Sequence, residues 1–225
     1  MKIDRVALIV YLILCVVAIF ANFYELYGLK LVSKSLLIPV LFFYYLGNVS
    51  RVDVIACFYF IFNFIGDSIG VFELEDEVIY LIIPFFFCNI SLIFIMLKKL
   101  ERPKMSFINV LAILIISIFL SYLWWSIVDV FSYREDDLQY EVGIYGASLF
   151  LISFLASYII INRMNLANLF LLFCVLCILM SDVFYVVYNF QAKIAIFDTI
   201  HFSTQIFSYL LFVKYMINRE VVSNV

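Results

Sequence analysis

The stretch Ala112-Ile-Leu-Ile-Ile-Ser-Ile-Phe-Leu120 decides the fold class of this chain. A strand of a membrane β-barrel needs about ten residues that alternate between apolar and polar, and this stretch does not alternate. It lies within the longer apolar segment Phe107–Val128, which meets the roughly 20 residues that a helix needs to cross a hydrocarbon core of about 30 Å. The stretch therefore predicts a transmembrane helix.

The whole chain has the composition of a polytopic membrane protein. Of its 225 residues, 67% are hydrophobic and 14% are charged, whereas soluble domains are about 45–50% apolar and about 25% charged. We therefore predict an all-α bundle of eight transmembrane helices, forming one domain over residues 1–225. The predicted spans are Val6–Tyr24, Leu31–Gly47, Val54–Phe72, Val78–Leu97, Phe107–Val128, Glu141–Ile161, Leu166–Asn189 and Ala195–Met216.

The second span leaves two alternatives open. Its uninterrupted apolar core, residues 36–47, is short, so it either recruits residues 31–35 or forms a re-entrant segment. The first span lacks a small-x-small cleavage site, and we expect it to be an uncleaved signal anchor.

The loop charges predict the orientation of the bundle by the positive-inside rule. The acidic runs 73–77 and 135–137 fall on the outside when both termini are cytoplasmic. In that orientation the cytoplasmic side carries Lys2, Arg5, Arg51, Lys98, Lys99, Arg102, Lys104, Arg163, Lys214 and Arg219, and the outside carries Lys30, Lys34, Arg134 and Lys193.

Several residue types indicate no special chemistry. All five cysteines fall in predicted spans, where cysteine serves as a small apolar side chain. Cys174 and Cys177 lack further zinc ligands, because the chain has a single histidine. Most of the abundant Phe and Tyr side chains are expected to face lipid or to form the aromatic belts at the two membrane interfaces. We expect no metal, no cofactor and no nucleic-acid partner, and the composition favours a bacterial inner membrane.

Two aspartates lie deep inside predicted spans, Asp67 in the third and Asp182 in the seventh. A carboxylate at the centre of a spanning helix costs roughly 2.5–3.5 kcal/mol on insertion scales. A chain that carries two of them in different helices is expected to use them, and carboxyl pairs suit proton transfer.

Polar residues recur at helical spacing around these aspartates. Because lipid cannot satisfy their hydrogen bonds, such stripes face the bundle interior or a cavity, and we expect one polar pocket that opens outward. Side chains of this kind also hold helices together, at roughly 0.6 kcal/mol per hydrogen bond, and for His201 this structural role stays open. The stripes are Asn63, Asp67 and Gly70; Asp182, Tyr185 and Asn189; and Asp198, His201, Gln205 and Ser208.

The order of these motifs resembles the YhhN-like family of eight-helix membrane proteins, which includes the lysoplasmalogenases. Ser35 stands where the family has a proline, and Asn89 takes the position of a fourth-helix histidine. The resemblance rests on Lys34-Ser35 with Pro39, Gly66-Asp67, Ser181-Asp182 and Thr204-Gln205.

The resemblance implies hydrolysis of the vinyl-ether bond of a lysophospholipid, with release of a fatty aldehyde and a glycerophospho-base. Such cleavage needs an acid to protonate the β-carbon and a base to activate water. Asp67 and Asp182 would be this catalytic pair, with the two roles unassigned. The substrate-binding residues would be Lys34 at the outer mouth, pairing with the lipid phosphate, and Asn63, Asn89, Tyr185, His201 and Gln205.

Two other functions remain as alternatives. Carboxylates within the membrane also serve proton-coupled transporters, although no inverted repeat or pair of broken helices is evident. A catalytically silent lipid-binding protein is the second. A transporter predicts proton flux without lipid consumption, and a silent protein predicts lipid that co-purifies without product.

Overall fold

A computed structural model describes residues 3–71, 77–98, 100, 106–132 and 138–223. Within these ranges the chain forms eight α-helices and a short π-helical segment, and it contains no β-strand. The helices are α1 Ile3–Phe23, α2 Tyr27–Leu46, α3 Val54–Val71, α4 Glu77–Leu97, α5 Phe107–Ser132, α6 Gln139–Asn162, α7 Leu166–Val186 and α8 Ala195–Ser223, and the π-helical segment is Val187–Gln191.

All eight helices are long and apolar enough to cross a membrane, which confirms the predicted all-α bundle. The second helix begins at Tyr27, before the predicted Leu31, and continues through Pro39 as a span of 20 residues. The re-entrant alternative is therefore wrong. The orientation relative to the membrane stays a prediction. Of the charges on which it rests, the acidic residues 73–76 and 135–137 and the basic residues Lys2, Lys99, Arg102, Lys104 and Arg134 lie outside the described residues.

Seven of the helices follow one another around a ring, and α5 stands outside it. Sequential helices pack as the pairs α1–α2, α3–α4, α5–α6 and α7–α8. Contacts of α2 with α3, α4 with α6, α6 with α7 and α1 with α8 close the ring. Helix α5 packs on α6, and of its residues Leu120 and Phe131 are the buried ones. Most of α5 therefore faces lipid.

The close contact of α5 with α6 depends on a glycine, Gly146, which has no side chain. The indole Nε1 of Trp124 donates a hydrogen bond to the Gly143 carbonyl oxygen, 3.0 Å away. The same indole lies against Gly146, where an added Cβ would stand 2.6 Å from Trp124 Cδ1. This distance is shorter than a van der Waals contact, so only glycine allows α5 to approach α6 in this way.

We expect Gly146→Ala to lower the free energy of unfolding by about 1–3 kcal/mol, the usual cost of overpacking a tight contact. The measurement is the thermal unfolding midpoint of the purified protein in detergent. Gly28→Ala is the matched control, because a Cβ at Gly28 in α2 meets nothing within 4 Å and alanine favours a helix. Equal midpoints for Gly146→Ala and the wild type would contradict this packing argument.

Asp53 connects several helices at the end of the bundle where α2 is joined to α3. Its Oδ1 accepts a hydrogen bond of 2.9 Å from the Ile55 amide and so caps α3. Its Oδ2 lies 3.8 Å from Arg219 Nη1 on α8 and 4.0 Å from Lys98 Nζ after α4. One carboxylate thus connects three helices at this end, away from the polar residues described next.

Candidate functional site

A polar cavity of about 450 Å³ lies inside the ring of helices. It contains the predicted polar stripes of the third, seventh and eighth helices, so the structure brings side chains together that are far apart in sequence. The residues of these stripes that line it are Asn63, Gly70, Asp182, Tyr185, Asn189, Asp198, His201, Gln205 and Ser208, and Lys34 and Asn89 line it as well.

The cavity extends to the end of the bundle that carries the α1–α2 and α7–α8 connections, and we call this end the mouth. Asn22, Lys30, Lys193 and Asp198 line the cavity there. Asn22 Nδ2 on α1 donates a hydrogen bond of 2.6 Å to Asp198 Oδ2 on α8. This bond fixes the two helical hairpins beside each other at the mouth.

Asp182 is the carboxyl that faces the cavity. It lies on α7 and lines the cavity together with Tyr145 of α6. The Tyr145 hydroxyl donates a hydrogen bond of 2.8 Å to Asp182 Oδ2. Within the described ranges Asp182 makes no other hydrogen bond and no ion pair, so its Oδ1 is free to contact a molecule in the cavity.

Asp67 has a different environment. It is 3% exposed and is not among the residues that line the cavity. Its Oδ1 lies 3.5 Å from Lys34 Nζ, and the Tyr209 hydroxyl lies 3.0 Å from both of its oxygens. Because Lys34 and Tyr209 both line the cavity, Asp67 sits behind them. The two aspartates are therefore not equivalent.

Lys34 lies deeper than the mouth position that the sequence suggested. Its side chain is 8% exposed, and its ammonium group stands 5.1 Å from the centre of the Phe202 ring. It follows Lys30 by four residues on α2, which places it about 6 Å further into the bundle. Its charge is balanced by Asp67, so it is not a free positive charge at the surface.

His201 joins α8 to α7. Its Nδ1 lies 2.9 Å from the Ser181 hydroxyl and 2.9 Å from the Ser181 carbonyl oxygen. Its ring centre is 5.2 Å from that of Tyr185. These contacts fix the two helices next to Asp182, and they give His201 the structural role that the sequence left open beside substrate binding.

The three amide side chains of the site differ in their hydrogen bonds. Asn63 donates to the Tyr59 carbonyl oxygen at 2.8 Å, and Asn89 donates to the Ser148 hydroxyl at 2.9 Å. The carbonyl oxygen of Gln205 is buried and has no hydrogen-bond partner in the described part of the chain. Leaving such a group unpaired costs about 1–3 kcal/mol. Gln205 therefore lines the cavity, while its Oε1 is an unpaired acceptor buried just behind the cavity surface.

The two tyrosines that donate hydrogen bonds to the aspartates, Tyr145 and Tyr209, were not predicted, because most of the Phe and Tyr side chains were assigned to the lipid face and the interface. Tyr209 follows Gln205 by four residues and continues the polar stripe of α8, so helical spacing could have found it. Tyr145 follows Glu141 by four residues and precedes Ser148 by three, so helical spacing on α6 could have found it as well.

No group of three or more His, Cys, Asp or Glu side chains is placed to hold a metal ion among the residues that the structure describes. Cys174 and Cys177 are free thiols. Comparison of the chain with protein-family models, with curated proteins and with solved structures finds no match.

Proposed function

We propose that this protein is a membrane-embedded hydrolase that cleaves the vinyl-ether bond of lysoplasmalogen-like lysophospholipids, as its resemblance to the YhhN-like family implies. The observation that carries the proposal is a carboxyl group, Asp182, in the wall of a polar cavity inside an apolar helical bundle. A cavity of about 450 Å³ has the size of a small-molecule site. The membrane is proposed to be a bacterial inner membrane, with both termini cytoplasmic.

Asp182 is assigned as the general acid, because an acid must reach the reacting atom and Asp182 faces the cavity while Asp67 does not. Its carboxyl donates a proton to the β-carbon of the vinyl ether, and the electron pair of the double bond forms the new C–H bond. The resulting oxocarbenium ion stands beside the Asp182 carboxylate, which stabilises the positive charge.

The same carboxylate then serves as the base. It takes a proton from the water that adds to the carbon bearing the ether oxygen, and a hemiacetal results. Transfer of the hemiacetal hydroxyl proton to the ether oxygen breaks the C–O bond and releases the aldehyde and the glycerol hydroxyl. The net change is addition of one water molecule, and Asp182 ends in its starting protonation state.

Asp67 is assigned as a positioning residue that acts through Lys34. Its carboxylate balances the Lys34 charge at 3.5 Å, so an ammonium donor can stand in the cavity wall without an unpaired charge in the membrane. Lys34 then donates hydrogen bonds to the polar part of the substrate. Asn63, Asn89, Tyr185 and His201 complete the polar wall around it.

Gln205 is assigned to position the attacking water or a substrate hydroxyl, for which its amide rotates so that the buried and unpaired Oε1 reaches the cavity. We expect Gln205→Met, which keeps the length of the side chain, to lower kcat/KM for aldehyde release about 10- to 100-fold, the loss of one buried hydrogen bond. Ser203→Ala is the matched control on α8, because Ser203 is not among the lining residues and donates to the Thr199 carbonyl oxygen. An unchanged kcat/KM in Gln205→Met would refute the role of Gln205.

The test of the proposed function is aldehyde release from a panel of lysolipids by the purified protein. Vinyl-ether lysolipids are expected to release aldehyde, whereas 1-acyl and saturated 1-alkyl lysolipids are not. Correctly folded protein that releases none from any member of the panel would refute the hydrolase.

A proton-coupled transporter is the second candidate, and the buried ion pair of Lys34 and Asp67 is the observation that favours it, since such pairs within spans serve proton relays. In liposomes a transporter moves protons without consuming lipid. Proton flux in the absence of aldehyde release would establish this candidate, and aldehyde release in detergent would establish the hydrolase.

A further inference from the structure

We propose that Lys30 and Lys193 form a phosphate-binding subsite at the mouth of the polar cavity, which takes the phosphate of a phospholipid head group. Neither lysine belongs to the motifs that carry the family resemblance. That the phospholipid is the substrate rests on the proposed function, whereas binding of a phosphate at these two lysines does not.

The two lysines reach the mouth from opposite ends of the chain. Lys30 is the fourth residue of α2, and Lys193 lies in the connection that follows the π-helical segment, before α8 begins at Ala195. Both line the cavity. The hydrogen bond of Asn22 with Asp198 fixes the two hairpins that carry them.

Both positive charges are available to a ligand. Neither lysine makes an ion pair or a side-chain hydrogen bond within the described residues. Lys30 is half-buried and Lys193 is exposed, so a phosphate bound between them keeps part of its hydration. Lys34, by contrast, is buried and already paired with Asp67. The free cations of the cavity are thus at the mouth, one helical turn or more above Lys34.

Asp198 is the acidic residue that lines the mouth with them, and it opposes an anion there. Its Oδ2 accepts the hydrogen bond from Asn22 at 2.6 Å, which directs that oxygen toward α1. Among the residues that line the cavity at the mouth, the two ammonium groups of Lys30 and Lys193 stand against the one carboxylate of Asp198. Glu25 in the α1–α2 connection is exposed at the same end and does not line the cavity. Lysine is a compact point charge that suits phosphate oxygens.

The apolar side chains of the cavity wall favour a phosphate that belongs to an amphiphile. Leu81, Phe85, Phe131 and Leu149 line the cavity alongside the polar side chains, so the same space offers apolar surface to a chain attached to the phosphate. Because Lys30 lies about 6 Å above Lys34, a head group bound at the mouth leaves its glycerol portion within the polar cavity. A free phosphate would use the two lysines and none of this surface.

The test compares binding of two radiolabelled lipids to the purified full-length protein in a non-ionic detergent. The first is a saturated 1-O-alkyl lysophospholipid, which has no double bond to protonate, and the second is the 1-O-alkylglycerol of the same chain, which lacks the phosphate. We expect Lys30→Gln and Lys193→Gln each to weaken binding of the lysophospholipid about fivefold, as for a partly exposed charge pair. The double variant weakens it about 25-fold if the two effects add. Binding of the alkylglycerol does not change.

Lys98→Gln is the matched control, since it removes the same charge from the opposite end of the bundle, where Lys98 is 51% exposed. Equal binding of the lysophospholipid by wild type and the double variant would overturn the subsite. Inorganic phosphate that displaces the lipid at the lipid's own concentration range would overturn the assignment to a head group. Lysine-dependent binding by a protein that releases no aldehyde would support the subsite while refuting the hydrolase.

Discussion

We expect Asp182→Asn to lower kcat for aldehyde release from vinyl-ether lysophospholipids about 10²- to 10⁴-fold, the contribution of a positioned general acid. Asparagine has the shape of aspartate, and its carbonyl oxygen still accepts the hydrogen bond that Tyr145 donates to Asp182 Oδ2. It carries no acidic proton, so protonation of the β-carbon falls to water. The measurement is kcat of the purified full-length protein in detergent.

The control for this prediction is a carboxyl outside the cavity. Asp129 lies on α5, is exposed and does not line the cavity, so Asp129→Asn makes the same chemical change without effect on hydrolysis. Asp182→Asn should keep the unfolding midpoint of the wild type to within a few degrees, because its packing is conserved. Wild-type kcat in correctly folded Asp182→Asn would refute the assignment of the acid.

We expect Asp67→Asn to lower the free energy of unfolding by about 3–5 kcal/mol, because it leaves the buried ammonium of Lys34 without its counter-charge. Lys34→Met has a comparable effect, since it leaves the carboxylate of Asp67 with Tyr209 as its remaining partner. The double variant Lys34→Met, Asp67→Asn removes both charges and regains most of this loss. Denaturant unfolding in detergent measures all four proteins of this cycle.

The double variant keeps the test informative where a single variant does not fold. Tyr209, which donates to Asp67, can donate to the carbonyl oxygen of an asparagine, so this hydrogen bond is the same in the single and double variants that carry Asn at position 67. Losses that simply add in the double variant would show that the two charges do not stabilise each other.

The helix assignment followed from the sequence because the membrane imposes a local rule. A spanning segment must satisfy its backbone hydrogen bonds internally and must be apolar over about 20 residues. Several boundaries agree to the residue: α3 begins at Val54, α4 ends at Leu97, α7 begins at Leu166 and α8 begins at Ala195. Other boundaries differ: α8 ends at Ser223 rather than Met216, and α5 ends at Ser132 rather than Val128. Helix α2 begins four residues before the predicted Leu31, because its first turn contains Lys30 and therefore gives a weak apolar signal.

The inward faces of three helices also followed from the sequence. Polar side chains spaced three, four and seven residues apart share one face of a helix. Contact of such a face with lipid is unfavourable, so it turns toward the interior of the bundle. Asn63, Asp182 and Gln205, each predicted from such spacing, do line one cavity.

Only the tertiary structure decided which partner each aspartate has. The contacts of Asp67 with Lys34 and Tyr209, and of Asp182 with Tyr145, join helices that are distant in the chain. The spacing within a helix sets which residues share a face, but not how that helix is rotated or raised against its neighbours. Rotation and height result from packing between segments far apart in sequence, and this packing exposes Asp182 to the cavity and places Asp67 behind Lys34.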